Sequence, residues 1–272
     1  MNEGIRWDCH MHSSFSADSD APMEEMISAA GHRGLKGICL TEHLDPDFPK
    51  TPDGIDFSLD IPAYMEHVRS AVNAGTEGVT VLTGLEAGLQ PHLGAYYTRL
   101  LSEYSFDFVI GSSHIVHGKD PYYPELWEGR DEEDCWREYF SSIIENLNAF
   151  SGFDVYGHLD YIVRYGPSKN RNYSYSAYSD YLEPILHLLI EKSVGLEINT
   201  AGFHYGLGEP NPSTEILRRY RELGGEIITV GSDAHSPDRV AADFDRAETI
   251  LRQCGYRYYT VFRERRPCFY AL

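Results

Sequence analysis

The sequence predicts an α/β protein whose seven βα units close, or nearly close, into a TIM-like barrel. Three observations lead there. Strand and helix patterns alternate along the whole chain, which favours βα units around a parallel sheet over a sandwich. At 272 residues the chain suits one barrel-sized core, so a single domain over 1–272 is expected. The apolar runs also end repeatedly in His, Glu or Asp, and a barrel of this kind builds its site on loops at the carboxyl ends of its strands.

The first strand ends in Asp8-Cys9-His10-Met11-His12. Residues two apart on an extended chain share a face, so His10 and His12 can present two imidazoles to one metal ion while Cys9 and Met11 turn the other way. Ala21-Pro22-Met23-Glu24-Glu25 opens a helix with proline in the first turn and two acids complementing the dipole, and Gly34 ends it. The second strand runs from Ile38 through Thr41-Glu42 to His43. A Pro- and Asp-rich loop over 44–60, long enough to cover a site, leads to a helix over 61–75. The third strand, 79–86, ends at Glu86; a helix over 93–104 follows, and the fourth strand, 106–114, ends in Ser113-His114.

Residues 115–130 show no clear periodicity and read as an ordered insertion near the site. The acidic run 131–134 precedes Trp136, Phe140, Ile143, Ile144 and Leu147 at helical spacing, so it reads as helix N-terminal charge rather than a metal patch. The fifth strand, 153–159, carries His158. A tyrosine-rich loop over 161–175 follows, whose rings can line an entrance or pack on one another, and then a helix ending near Ser193. Gly195 to Asn199 forms the sixth strand. After a loop over 202–212 come a helix over 212–223, a seventh strand over 226–230 that runs into Gly231-Ser232-Asp233-Ala234-His235, and a last helix over 239–254. Arg263-Glu264-Arg265-Arg266 reads as a solvated tail.

A formal net charge of −19 argues against a nucleic-acid or acidic-membrane partner, because no Lys/Arg run provides the electrostatic footprint those surfaces require. No signal peptide is visible and no apolar run approaches the roughly 18 residues of a membrane span. Five cysteines without CxxC spacing suggest reduced thiols in a cytoplasm, with Cys9 and Cys39 filling core space. His32, His67 and His187 fall within predicted helices and are expected to face solvent or pack. His92, His117 and His204 fall on loops, from which they can touch a substrate.

Together these motifs resemble the polymerase and histidinol phosphatase (PHP) superfamily. The resemblance rests on His10-Met11-His12, Thr41-Glu42-His43, Gly84-Leu85-Glu86, Ser113-His114, Gly157-His158-Leu159-Asp160 and Gly231-Ser232-Asp233-Ala234-His235, in the family's order over nearly the whole chain. Closer likeness is to the stand-alone histidinol-phosphatase branch, through residues 12–18, 157–165 and 197–202. It implies a distorted (β/α)7 barrel of PHP type and a trinuclear metal centre. One ion is implied among His10, His12, Glu86 and Asp233. A second is implied among Glu86, His114 and His158, with Glu86 bridging, and a third among His43, His235 and Asp18, where many superfamily members carry a histidine. The branch also implies an arginine after Asn199-Thr200-Ala201-Gly202, where this chain has Phe203-His204. The implied activity is hydrolysis of L-histidinol phosphate in histidine biosynthesis; the alternative is another small phosphate ester or a phosphotyrosine protein.

The residue types support the same chemistry. Nine candidate ligands with three carboxylates would leave three divalent ions about +3 in excess, which suits a phosphate dianion despite the acidic chain. Imidazole and carboxylate donors suit zinc, manganese or iron. A metal-bound water can serve as nucleophile, and there is no Gly-x-Ser-x-Gly elbow to supply another. Asp160 is a candidate to protonate the leaving alkoxide or, equally, to orient His158 from behind. Arg164 is a candidate phosphate clamp, with His117 and His204 as further substrate contacts.

Overall fold

A computed structural model describes residues 4–76 and 78–272. Its elements are β1 (Trp7–Met11), α1 (Met23–His32), β2 (Gly37–Leu40), β3 (His43–Leu44), α2 (Ile61–Ala74), β4 (Thr80–Gly88), α3 (Gly94–Glu103), β5 (Phe108–Ser112), α4 (Glu132–Ala149), β6 (Val155–Tyr156), α5 (Ser179–Glu191), β7 (Gly195–Asn199), α6 (Ala201–His204), α7 (Thr214–Glu222), β8 (Ile228–Gly231), α8 (Phe244–Gln253), β9 (Tyr258–Arg263) and β10 (Arg266–Ala271). The sheet runs β1-β2-β4-β5-β6-β7-β8, all parallel, with β3 also pairing β4.

The expected second strand is broken in two. It leaves the ladder after Leu40 and rejoins β4 at His43. Two buried tyrosines take up carbonyls at these ends: Tyr64 donates to Leu40 and Gly84, and Tyr97 to Leu44 and Gly88. Burying such carbonyls without a donor would cost about 1–3 kcal/mol each.

First and last strands nearly close the barrel. The Asp233 N–H donates to the His10 carbonyl at 2.8 Å, and the His12 N–H to the Ala234 carbonyl at 2.9 Å. The Asp8 carboxylate accepts the Ser232 N–H at 2.9 Å across the same seam. Helix starts follow the sequence logic. The Asp60 side chain accepts from the Ala63 N–H, and Asp131 caps the acidic first turn of α4 by accepting from the Glu133 N–H.

The expected basic tail is a hairpin instead. Glu264 and Arg265 both take positive φ, 49° and 63°, in the two-residue turn between β9 and β10. That conformation usually announces itself as Asn-Gly or Asp-Gly, and neither dipeptide is present. Arg265 reaches Asp154 at 2.5 Å and the Gly152 carbonyl at 2.8 Å. The Glu264 N–H donates to Asp107, and Thr260 touches both Cys9 of β1 and Ile228 of β8. Asp107, Asp154 and Ile228 begin or precede their strands, so the hairpin lies at the amino end of the barrel, across the seam and opposite the strand ends that carry the histidines.

Candidate metal centre

Strand ends bring the nine candidate ligands together. The pleat of β1 aims His10 and His12 inward with their Nε2 atoms 3.1 Å apart. Glu86, mid-way along the carboxyl half of β4, is fully buried. Its Oε2 lies 3.2 Å from His10 Nε2 and 3.4 Å from His12 Nε2, while Asp233 Oδ1 lies 3.5 and 3.4 Å from the same two nitrogens. On the other side, Glu86 Oε1 lies 3.2 Å from His114 Nε2 and 2.9 Å from His158 Nε2. Asp18 Oδ2 stands 3.2 Å from His235 Nε2 and 3.6 Å from His43 Nε2. His43 stands between groups, since its Nδ1 is 3.0 Å from Glu86 Oε2.

The longer of these distances, 3.4–3.6 Å, fit atoms that share one metal ion, while the shorter ones are also hydrogen-bonding distances. Donor atoms around one tetrahedral ion with bonds of about 2.0–2.2 Å are separated by roughly 3.3–3.6 Å. Moreover His43 Nδ1, Glu86 Oε2 and His235 Nε2 are buried without a hydrogen bond although each has a donor or acceptor within 3.2 Å. Among the described residues, groups able to hold an ion are His10-His12-Glu86, His10-His158-Asp233, His43-Glu86-His114 and His12-His43-His235.

The electrostatics follow from the crowding. Burial opposes ionisation of Glu86, yet His10, His43 and His114 hold its carboxyl well below the usual range. Burial opposes the charge on Asp233 as well, and His10, His12 and Arg164 outweigh it. His12 is pushed well below the ordinary imidazole value by burial and by its neighbours His43 and His235, which keeps it neutral as a ligand must be. His10 goes the other way: Glu197, Glu86 and Asp233 overcome its burial and raise it.

Behind the ligands stand groups that the motifs did not reveal. Glu197 Oε1 meets His10 Nδ1 at 2.7 Å, and its Oε2 accepts the His158 N–H at 2.9 Å. Asp45 Oδ1 meets His114 Nδ1 at 2.8 Å. Ser16 Oγ lies 3.0 Å from His12 Nδ1 and donates to Glu42 at 2.6 Å. Such partners fix the tautomer that leaves Nε2 free for a metal. Gly231 makes room for one of them: a Cβ there would collide with His10 Cβ and Glu197 Oε1. The signal for Glu197 was available, because alternation along β7 puts Glu197 and Asn199 on one face just as it pairs His10 with His12.

Three expected substrate or catalytic residues lie off the cleft. Asp160 is buried, but its carboxylate accepts from Asn211 Nδ2 at 2.6 Å and the Ser213 N–H at 2.9 Å. It bonds neither the cleft nor the His158 ring, because the chain turns there into a short 3-10 helix, Tyr161–Arg164. His117 is exposed, held by Glu138 at 2.8 Å and Glu145 at 3.1 Å on the outer face of α4. His204 is exposed at the end of α6, and its neighbour Tyr205 lines the cleft instead. Arg164 does line it, with its guanidinium fixed by Asn211 at 2.8 Å, Asp233 at 3.0 Å and Asn199 at 2.9 Å. His32, His92 and His187 are exposed, and His67 is half-buried beside Glu24.

A nearly closed parallel β/α barrel with imidazole and carboxylate donors converging at its strand ends defines a metal-dependent hydrolase. The PHP domain profile matches residues 8–201, and the chain belongs to the PHP domain family. It is 31% identical over 94% of its length to histidinol-phosphatase of Lactococcus lactis, of which it covers 93%. A protein named probable histidinol-phosphatase from Clostridium acetobutylicum is 31% identical over 97% of this chain and 99% of its own. The crystal structure of Lactococcus lactis histidinol phosphate phosphatase, complexed with zinc, L-histidinol and phosphate, superposes with a TM-score of 0.89 at 30% identity, covering 97% of this chain and 98% of that one.

Proposed function

We propose that the chain is a phosphomonoesterase that hydrolyses L-histidinol phosphate to L-histidinol and phosphate, a step of histidine biosynthesis, with three divalent ions held by His10, His12, Asp18, His43, Glu86, His114, His158, Asp233 and His235. The observation that carries this reading is the position of Glu86, one oxygen toward the His10–His12 pair and the other toward His114 and His158. These residues would hold divalent ions there, and such ions would supply an activated water and charge neutralisation for the phosphoryl oxygens.

The protein's own residues supply the rest. Glu86 and Asp233 stay ionised at neutral pH and His12 stays neutral, whereas His10 and His235, raised by the carboxylates beside them, would release protons as cations bind. Arg164 is pre-oriented by three acceptors and keeps further N–H groups for a phosphoryl oxygen, without having to order a flexible side chain. Phe48, Phe57, Tyr161, Tyr165 and Tyr205 wall the cleft and limit water around the reacting ester.

A second reading, another small phosphate ester, is favoured by Phe203-His204 where an arginine was expected. The deciding experiment is kcat/KM for L-histidinol phosphate beside a generic aryl phosphate, with zinc, manganese and iron in turn. About 10⁴ M⁻¹s⁻¹ or more for L-histidinol phosphate, far above the aryl ester, supports the first reading. Equal slow turnover of both discards it.

A further inference from the structure

The cleft contains one acid that the metal centre does not engage. Asp120 is 9% exposed and lines the cleft beside Phe48, Phe57, Tyr161 and Tyr165. Its Oδ1 accepts the Tyr122 N–H at 2.8 Å; no Lys or Arg among the described residues pairs with it. The other acids of the cleft are all matched: Asp18 by His43 and His235, Asp45 by His114, Asp233 by Arg164. Burial holds the Asp120 carboxyl up to about 6, as expected of an acid enclosed without a cation.

Its position is built rather than incidental. The segment carrying it is tied to the covering loop by Tyr123, whose hydroxyl donates to Asp53 at 2.9 Å. Phe48 and Phe57 meet edge to face at 4.7 Å and Tyr161 and Tyr165 at 5.0 Å. A cleft lined by both a carboxylate and aromatic rings offers an ammonium or imidazolium group an opposite charge and ring faces to lie over.

We propose that Asp120 receives the positively charged nitrogen of the substrate's alcohol portion, and so selects amine- or imidazole-bearing phosphate monoesters over neutral ones. This rests on the phosphatase reading above. The cleft then carries positive character at its metal end and negative character at Asp120, matching a zwitterionic ester.

Asp120→Asn keeps the acceptor for the Tyr122 N–H and removes the charge; Asp120→Ser is the second variant. The measurement is the ratio of kcat/KM for 3-aminopropyl phosphate over propyl phosphate, with L-histidinol tested as an inhibitor of both. In the variants the ratio falls tenfold or more, mainly through KM, and inhibition by L-histidinol weakens similarly. A wild-type ratio near one, or variants in which both esters slow together at constant ratio, overturns the proposal. Wild-type turnover of L-histidinol phosphate no faster than an aryl phosphate sinks the function reading alone, and the aminopropyl-to-propyl ratio still decides Asp120.

Discussion

Glu197 holds His10 at 2.7 Å with one carboxylate oxygen and the backbone of His158 at 2.9 Å with the other, so one buried acid from β7 aligns donors from β1 and from the end of β6. Glu197→Gln cannot serve both as it stands. We expect metal affinity to drop by about 10- to 100-fold with little change in far-UV circular dichroism. Chelator competition checks it, and unchanged affinity would remove the positioning role.

Glu86→Gln strikes the proposed shared ligand. Metal content per chain, read by mass spectrometry after dialysis, should fall by more than one ion, and phosphatase rate on the order of 10³-fold. Loss of a single ion with the rate kept would show that Glu86 does not bridge.

Asp18 overcomes burial to raise His235 to about 9. In the metal-free protein its proton contributes stability that is complete below the unfolded value near 6.5 and lost as pH rises through 9. With His235 as a proposed ligand, metal binding displaces that proton, so ions are expected to bind more favourably as pH rises. The difference in Tm between metal-loaded and metal-free protein should widen from pH 6.5 to pH 9. A constant difference contradicts this.

His117 and His204 lie off the cleft. Alanine at either should leave kcat/KM for the phosphate ester within about twofold, as for other surface substitutions. A tenfold loss would return that residue to the substrate site.

Glu264 has φ 49° in the hairpin turn, a region asparagine tolerates better. Glu264→Asn should stabilise by about 0.5–1 kcal/mol. Arg265→Ala should destabilise by about 2 kcal/mol, because it leaves the mostly buried Asp154 without its partner. Urea unfolding separates the two effects.

The motif-bearing parts of the fold were legible because the candidate ligands sit on strands or just past their ends, where two-residue alternation and an abrupt polar end survive in sequence. His10 and Glu86 lie on β1 and β4, and His12 and His114 lie one and two residues past β1 and β5. Asp160 and His117 lie off the cleft for a common reason: they stand four and five residues past β6 and β5, where the chain has left its extended path and no periodicity records its direction, so that Asp160 is buried against Asn211 and His117 is exposed. The hairpin escaped because Glu264-Arg265 occupies a turn that composition does not mark. Asp45 went unassigned because a residue that orients a ligand carries no spacing signal of its own toward its partner, whereas Glu197 was marked only by its alternation with Asn199 along β7.

The seam between β1 and β8 has a consequence for how the protein is made. His10 and His12 come from β1 and the residue after it, Asp233 and His235 from the turn after β8, and Thr260 of the hairpin spans the same junction. A ribosome-bound or truncated chain lacking its final segment would therefore present only part of the ligand set. Such a fragment should bind ions weakly, so full metal loading reports that the two ends of the polypeptide have met.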